Sequence, residues 1–256
     1  MATYIVGDIH GCFREWIRFK SKIEKQDAEA EFILVGDILD KGPNSFEMLQ
    51  WAMERVQFES KYQMVIGNHE AEKLKWLKYV LNDSANEGWR NQESARRMLS
   101  VDGYEFYKIC CEKNLNRKQL KEIMNWFETL PEYIEKEVAT TEGIQKFVIT
   151  HHKLQSNKNV ITNAEYQAEK DMFPKNKHLS ENQKCIIIHG HFPTTLETCK
   201  NAGAIPGKIW IQNRNINVDC GLVYGVSKSQ GLYGDLAAIR LEDMQEFYYY
   251  NHVVEI

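Results

Sequence analysis

Four short apolar runs in this chain end in glycine followed at once by a residue able to bind a metal ion. Tyr4-Ile5-Val6 leads into Gly7-Asp8, and Phe32-Ile33-Leu34-Val35 into Gly36-Asp37. Tyr62-Gln63-Met64-Val65-Ile66 leads into Gly67-Asn68-His69-Glu70, and Gly190-His191 comes just after Ile186-Ile187-Ile188. A fifth run, Phe147-Val148-Ile149, ends without glycine in Thr150-His151-His152. Such runs read as buried strands of an α/β sheet, where ligands collect outside the carboxyl ends of the strands. Glycine at those ends lets the backbone approach a bound group closely.

The first half alternates strand and helix. Phe13, Trp16, Ile17 and Ile23 recur at helical spacing after the first strand, and Asn44 with Glu47 three residues on predicts a capping box for a helix to about Val56. Leu74, Leu77 and Leu81 mark a third helix opening at His69, and Leu74, Trp76, Leu77 and Tyr79 are expected to pack inward. Three β-α units in a row predict a parallel sheet. Residues 82–130 show no strand pattern and predict a helical insertion, with Asn116, Gln119 and a Leu115–Leu120 staple marking one helix start. Its scattered Arg and Lys residues read as a solvated face.

Beyond it, Tyr133–Val138 and Ile144–Ile149 flank a Thr-Thr-Glu-Gly turn and predict a hairpin. Further strands are expected at 186–188, 208–212, 216–220, 236–241 and 247–254, with a long loop carrying some helix at 157–182. The fold class is α/β, with two packed mixed sheets flanked by helices. With 256 residues the chain can bury a proper core and reads as one domain, 1–256.

A net charge of −4 gives no reason to expect nucleic acid or an anionic membrane as partner. No apolar run approaches the ~18 residues of a membrane span, and no leader precedes the first strand, so a cytoplasmic location is expected. The six cysteines lack CxxC spacing and read as reduced thiols.

Asp8 and His10 stand two apart and point the same way if the chain stays extended. Asp37, Asn68, His191 and one of His151 or His152 add donors from other strand ends. Carboxylate, amide and imidazole without thiolate suit Mn²⁺, Fe or Zn²⁺, and the number of donors suits two ions bridged by a carboxylate.

Gly7-Asp8-Ile9-His10-Gly11, Gly36-Asp37-Ile38-Leu39-Asp40-Lys41-Gly42, Gly67-Asn68-His69-Glu70, His151 and Gly190-His191-Phe192-Pro193 stand in an order that resembles the signature of calcineurin-like metallophosphoesterases. Within these the chain resembles the phosphoprotein phosphatase branch, which includes serine/threonine phosphatases and symmetrical diadenosine tetraphosphatases. Ile216 to Gly221, Val223-Tyr224-Gly225 and Leu236 to Ile239 extend the likeness nearly end to end.

The resemblance implies a four-layer αββα sandwich and two divalent ions, Mn²⁺ first, with Fe or Zn²⁺ as alternatives. Asp8, His10 and Asp37 would hold one ion; Asp37 would bridge to a second held by Asn68, His151 and His191. A hydroxide shared by the ions would attack phosphorus in a phosphoprotein or a small phosphoester or nucleotide. His69 would protonate the leaving oxygen with Asp40 orienting it; Lys41, Asn68 and His69 would contact substrate. The register of the motif favours His151 over His152 as ligand.

Three departures stand out. Lys41 replaces the usual Arg and cannot make its bidentate fork. His152-Lys153 replaces the usual small residues. No arginine lies in residues 153–188, leaving Lys153, Lys170, Lys175 or Arg214 as substitutes. The alternatives to a serine/threonine-type phosphatase are a dinucleoside polyphosphate hydrolase and a degenerate protein that binds phospholigands without turnover.

Overall fold

The apolar runs become strands, and nearly all of them are covered on both faces. The computed structural model describes residues 2–82, 88–152, 185–227 and 234–250. Among these, two five-stranded sheets are formed. In chain order the strands are β1 (Thr3–Val6), β2 (Glu31–Leu34), β3 (Tyr62–Met64), β4 (Tyr133–Thr140), β5 (Gly143–Thr150), β6 (Ile186–His189), β7 (Trp210–Gln212), β8 (Asn215–Asn217), β9 (Ala237–Arg240) and β10 (Glu246–Tyr248). The first sheet has the order β10-β9-β1-β2-β3 and the second β4-β5-β6-β8-β7. Both are mixed: β1-β2-β3 and β5-β6-β8 run parallel, and the remaining strands pair antiparallel.

Alternation along the strands divides the core in two. Tyr4, Val6, Phe32 and Leu34 pack with Trp16, Phe19, Trp76 and Phe127 on the helical side. Ile5, Ile33 and Val35 point the other way, into a second core with Phe147, Ile149, Ile188 and Ile216 of the facing sheet. That is why β1 and β2 read as continuous apolar runs: at the centre of the first sheet both faces are covered.

Helices α1 (Phe13–Glu24), α2 (Ser45–Phe58) and α3 (Asn68–Asn82) follow the first three strands, and α4 (Gln92–Met98), α5 (Val101–Glu112) and α6 (Arg117–Thr129) form the helical stretch before β4. Two short helices, α7 (Glu197–Asn201) and α8 (Leu222–Ser227), come later. The Asn116 cap of α6 forms as expected: its side chain accepts from Gln119 N at 3.0 Å, and Gln119 Oε1 accepts from Asn116 N at 2.9 Å. The expected box at α2 does not form, since the Asn44 side chain makes no capping bond. Asn44 N instead donates to Gly11 O at 2.9 Å, so the entry to α2 is tied to the loop after β1.

Other expectations are trimmed. Ile66 leaves β3 to bond Pro131 O, and β8 stops at Asn217, where the chain turns toward the site. Trp76 and Leu77 are buried, but Tyr79 on the same helix is exposed because it faces away from the sheet. The predicted loop at 157–182 and the end of the 247–254 strand lie outside the described residues.

Candidate metal centre

Every expected donor stands just past the carboxyl end of a parallel strand. Asp8 and His10 follow β1, Asp37 follows β2, Asn68 opens α3 after β3, His151 follows β5 and His191 follows β6. Because the two sheets pack face to face, the strand ends meet at one edge. Asp8 and His10 do not share an extended segment as the spacing suggested. His10 takes a left-handed backbone (φ 45°), and His10 N and Gly11 N donate to Asp37 O (2.9 Å) and Ile38 O (2.7 Å). Asp37, Asp40, Lys41 and His191 are left-handed as well. Such conformations cost on the order of 1–3 kcal/mol each and persist where the surroundings over-determine them.

Two glycines explain the recurring Gly-donor pair. A Cβ on Gly67 would run into the Asp37 carboxylate, and one on Gly190 would run into that of Asp8. The fully buried Glu70 accepts from Asp37 N (2.8 Å), Ile38 N (3.1 Å) and Gly67 N (3.1 Å), lashing the β2 and β3 loops together.

Asp37 is the hub. One oxygen, Oδ1, accepts from His69 N at 2.9 Å; the other, Oδ2, faces Nε2 of His151 at 3.2 Å, of His69 at 3.8 Å and of His10 at 3.9 Å. Burial opposes its ionisation, but the imidazoles outweigh that and hold its pKa well below the usual carboxylate value. Asp8 is pushed up, by burial and then by the Asp219 carboxylate. It accepts from His191 N at 3.1 Å.

The tautomers are set by the backbone. His10 Nδ1 donates to Leu39 O at 2.9 Å and His151 Nδ1 to Val35 O at 2.8 Å, so a neutral ring turns the Nε2 lone pair into the site. His151 Nε2 then meets Asn68 Oδ1 at 2.9 Å as well as Asp37 Oδ2, and His191 Nδ1 lies 2.8 Å from the same Asn68 oxygen and 3.2 Å from His151 Nε2. Electron-pair donors converging this closely repel unless positive charge lies among them. Without a metal, a proton on His151 serves: burial disfavours it, but Asp37 and its neighbours raise the pKa to about 10. A divalent cation fits the same donor set. Two groups, Asp8-Asp37-His151 and His10-Asp37-His69, bring their ligand atoms within 4.8 Å of one another and share Asp37.

His69 and Asp40 form a buried pair, with Nδ1 to Oδ2 at 2.5 Å. Burial works against the charged imidazole, but Asp37 and Asp40 prevail and raise its pKa. Lys41 lies 3.2 Å from His10 Nε2. Asp37, Lys41, Asn68, His69 and His191 line a cleft of about 320 Å³ together with Pro193, Leu196 and Tyr224. This is the size of pocket that takes a small ligand.

Lys73 went unnoticed in the sequence. It is fully buried on α3, and its ammonium bonds Asp40 Oδ2 and, at 3.3 Å, Glu72. Its position four residues after His69 puts both side chains on one helix face, which was the available signal. His152 is also within the cluster: its ring packs 4.0 Å from that of His191, and burial followed by the charge of His151 pushes its pKa down to about 3. Asp219 adds a buried oxygen, Oδ2, with no hydrogen-bond partner among the described residues. Arg214 is no substitute for the missing arginine: its carbonyl pairs with Ile187 N at the start of β6, the end of the sheet opposite the cleft. Lys153, Lys170 and Lys175 lie outside the described residues.

The chain is similar to the symmetrical bis(5'-nucleosyl)-tetraphosphatase of Methylobacillus flagellatus, 39% identical over 74 residues, 29% of this chain and 26% of that protein. The Buchnera aphidicola enzyme of the same name is 38% identical over 71 residues, 27% of this chain and 24% of that one. The chain thus matches about a quarter of the length of these relatives. The fold matches a cold-active protein-tyrosine phosphatase of a Shewanella species (TM-score 0.51, 17% identity, covering 97% of this chain and 80% of that one). It also matches a protein serine/threonine phosphatase from Saccharomyces cerevisiae (TM-score 0.50, 14% identity, covering 93% and 72%). The calcineurin-like phosphoesterase model aligns with residues 1–225, a span holding every donor described above. With strand ends, glycine cradles and donors all inside that span, the chain belongs to the calcineurin-like phosphoesterase family.

Proposed function

We propose that this protein is a metal-dependent phosphoesterase that hydrolyses phosphomonoesters, of the serine/threonine phosphatase type. The observation that carries the reading is the buried Asp37 Oδ2 facing three imidazole nitrogens at 3.2 to 3.9 Å from both sheets. An oxygen so placed suits a ligand that bridges two ions. Asp8, His10 and Asp37 would hold the first and Asp37, Asn68, His151 and His191 the second. When bound, two divalent ions (Mn²⁺, Fe or Zn²⁺) supply a nucleophile at neutral pH and neutralise the phosphoryl oxygens.

The protein's own groups do the rest. Lys41, at the cleft, offers a point charge to a non-bridging phosphate oxygen but not the two-pronged grip of an arginine. His69 carries the proton for the leaving oxygen, with Asp40 fixing its ring at 2.5 Å and favouring the charged form. Glu70 keeps the β2 and β3 loops in register, so that Asp37 and Asn68 reach the same point. The absence of any helix among the described residues long and apolar enough to cross a membrane is compatible with a dissolved substrate.

A second reading, hydrolysis of a dinucleoside polyphosphate, is favoured by the identity to the tetraphosphatases. Protein loaded with Mn²⁺, and separately with Zn²⁺, is offered p-nitrophenyl phosphate, phosphoserine peptides and diadenosine tetraphosphate. Phosphate release from the peptides at higher kcat/KM supports the first reading, whereas preference for the dinucleotide supports the second. No turnover with any metal, alongside retained phosphate binding, would show a protein that holds phospholigands without cleaving them.

A further inference from the structure

His152 stands where the family pattern expects a small residue, and it is not turned away from the site. Its ring lies 4.7 Å from that of His151 and 4.0 Å from that of His191, centroid to centroid, and the side chain is buried. His151, His152 and His191 form a group whose ligand atoms all lie within 4.8 Å of one another. Two nitrogens on one ion can be no more than about 4.2 Å apart, twice a ~2.1 Å metal–nitrogen bond. The three-nitrogen set therefore needs to close by only roughly half an ångström, within reach of a small side-chain rotation. His191 Nδ1 and His151 Nε2 are already 3.2 Å apart, so His152 is the one that has to move.

We propose that His152 supplies a third imidazole nitrogen to the ion held by Asn68, His151 and His191, and that this widens the chemical difference between the two metal positions. The inference rests on the dimetal reading above. The position held by Asp8, His10 and Asp37 has one nitrogen donor against two carboxylates. The position held by Asp37, Asn68, His151, His152 and His191 has three nitrogens. Imidazole suits Zn²⁺, Fe and Ni²⁺, whereas carboxylate and carbonyl oxygens suit Mn²⁺ and Mg²⁺. His152 thereby tilts the ring-side position toward a nitrogen-preferring ion such as Zn²⁺ and leaves the oxygen-rich position as it is.

The test reads metal binding directly. Stripped wild type, His152→Gln and His152→Phe are titrated with Zn²⁺ against a chromophoric chelator, with Mn²⁺ by electron paramagnetic resonance, and with Co²⁺ by its visible absorption. The phenylalanine variant keeps the ring packing on His191 without a donor, and thermal melts of the stripped proteins establish that each variant folds. Both variants are expected to bind Zn²⁺ at one of two sites about 10- to 100-fold more weakly, to hold Mn²⁺ within about threefold of wild type, and to shift the Co²⁺ band. Unchanged Zn²⁺ affinity and an unmoved Co²⁺ band in both variants would overturn the proposal and leave His152 as packing. If wild type itself binds two ions, that outcome removes only the role of His152. If wild type takes up no more than one transition ion, the dimetal reading fails and the proposal falls with it.

Discussion

The first sheet presents its donors in loops that are stitched to one another by backbone hydrogen bonds. His10 N and Gly11 N reach the β2 loop, and Glu70 ties that loop to β3 through three N–H groups. On the second sheet the donors are imidazoles that touch mainly other site groups: His151 on Asp37 and Asn68, His191 on Asn68 and His151, His152 on both rings. One wall is a fixed carboxylate frame and the other a cluster of rings that positive charge must organise. On the proposed assignment, precision belongs to one half of the molecule and ion selectivity to the other. Loss of the shared carboxylate of the frame should abolish function outright, whereas loss of His152 among the rings should tune which ion is held.

Asp37 is the one donor that belongs to both walls, and its replacement is the severest way to break the contrast. Asp37→Asn is expected to lose both ions and all measurable turnover together, whereas Asn68→Ala should chiefly empty the ring-side position. Elemental analysis of the two variants decides the matter; an Asp37→Asn protein that keeps two ions would show that the walls do not depend on a shared oxygen.

Next in size is His69, which the frame holds but no ion is expected to need. A general acid is worth roughly 10²- to 10⁴-fold, and less when the leaving group departs easily. His69→Asn should therefore slow a phosphoserine peptide by that factor and p-nitrophenyl phosphate by much less, with metal content intact. Equal losses on both substrates would reassign His69 to phosphate binding.

The smallest effect concerns how the frame is kept rigid. Lys73→Met leaves Asp40 buried beside His69 with one cation gone. Breaking a buried pair costs about 3–5 kcal/mol, and the lower end, about 3 kcal/mol, is expected because Asp40 keeps the imidazole as partner. Denaturant unfolding measures this, and a loss below about 1 kcal/mol would mean that the ammonium adds little to the order of this wall.

Most of the frame was legible because its code is local. A glycine after an apolar run announces a close approach, and Gly67 and Gly190 do make room for the carboxylates of Asp37 and Asp8. β1 and β2 were visible because burial on two faces leaves no polar alternation to confuse. What escaped depends on contacts between distant segments. The expected box at Asn44 loses to a backbone bond from Asn44 N to Gly11 O, and the turn at His10 is dictated by the β2 loop, neither of which spacing can report. Lys73 looks like any surface lysine until Asp40, 33 residues earlier, is placed against it. Arg214 was a reasonable substitute by composition and fails on strand direction, a property set by the crossover to β8.

The placement of β1 has one more consequence. This strand pairs with β2 on one side and on the other with β9, made more than two hundred residues later. During synthesis at about 5–20 residues per second, the β9-facing edge of Thr3-Tyr4-Ile5-Val6 stays bare for roughly ten to fifty seconds after it leaves the ribosome. An apolar strand with an open edge is a template for pairing with the wrong chain. A nascent chain stalled before Ala237 is therefore expected to expose that edge even with its first three β-α units already folded.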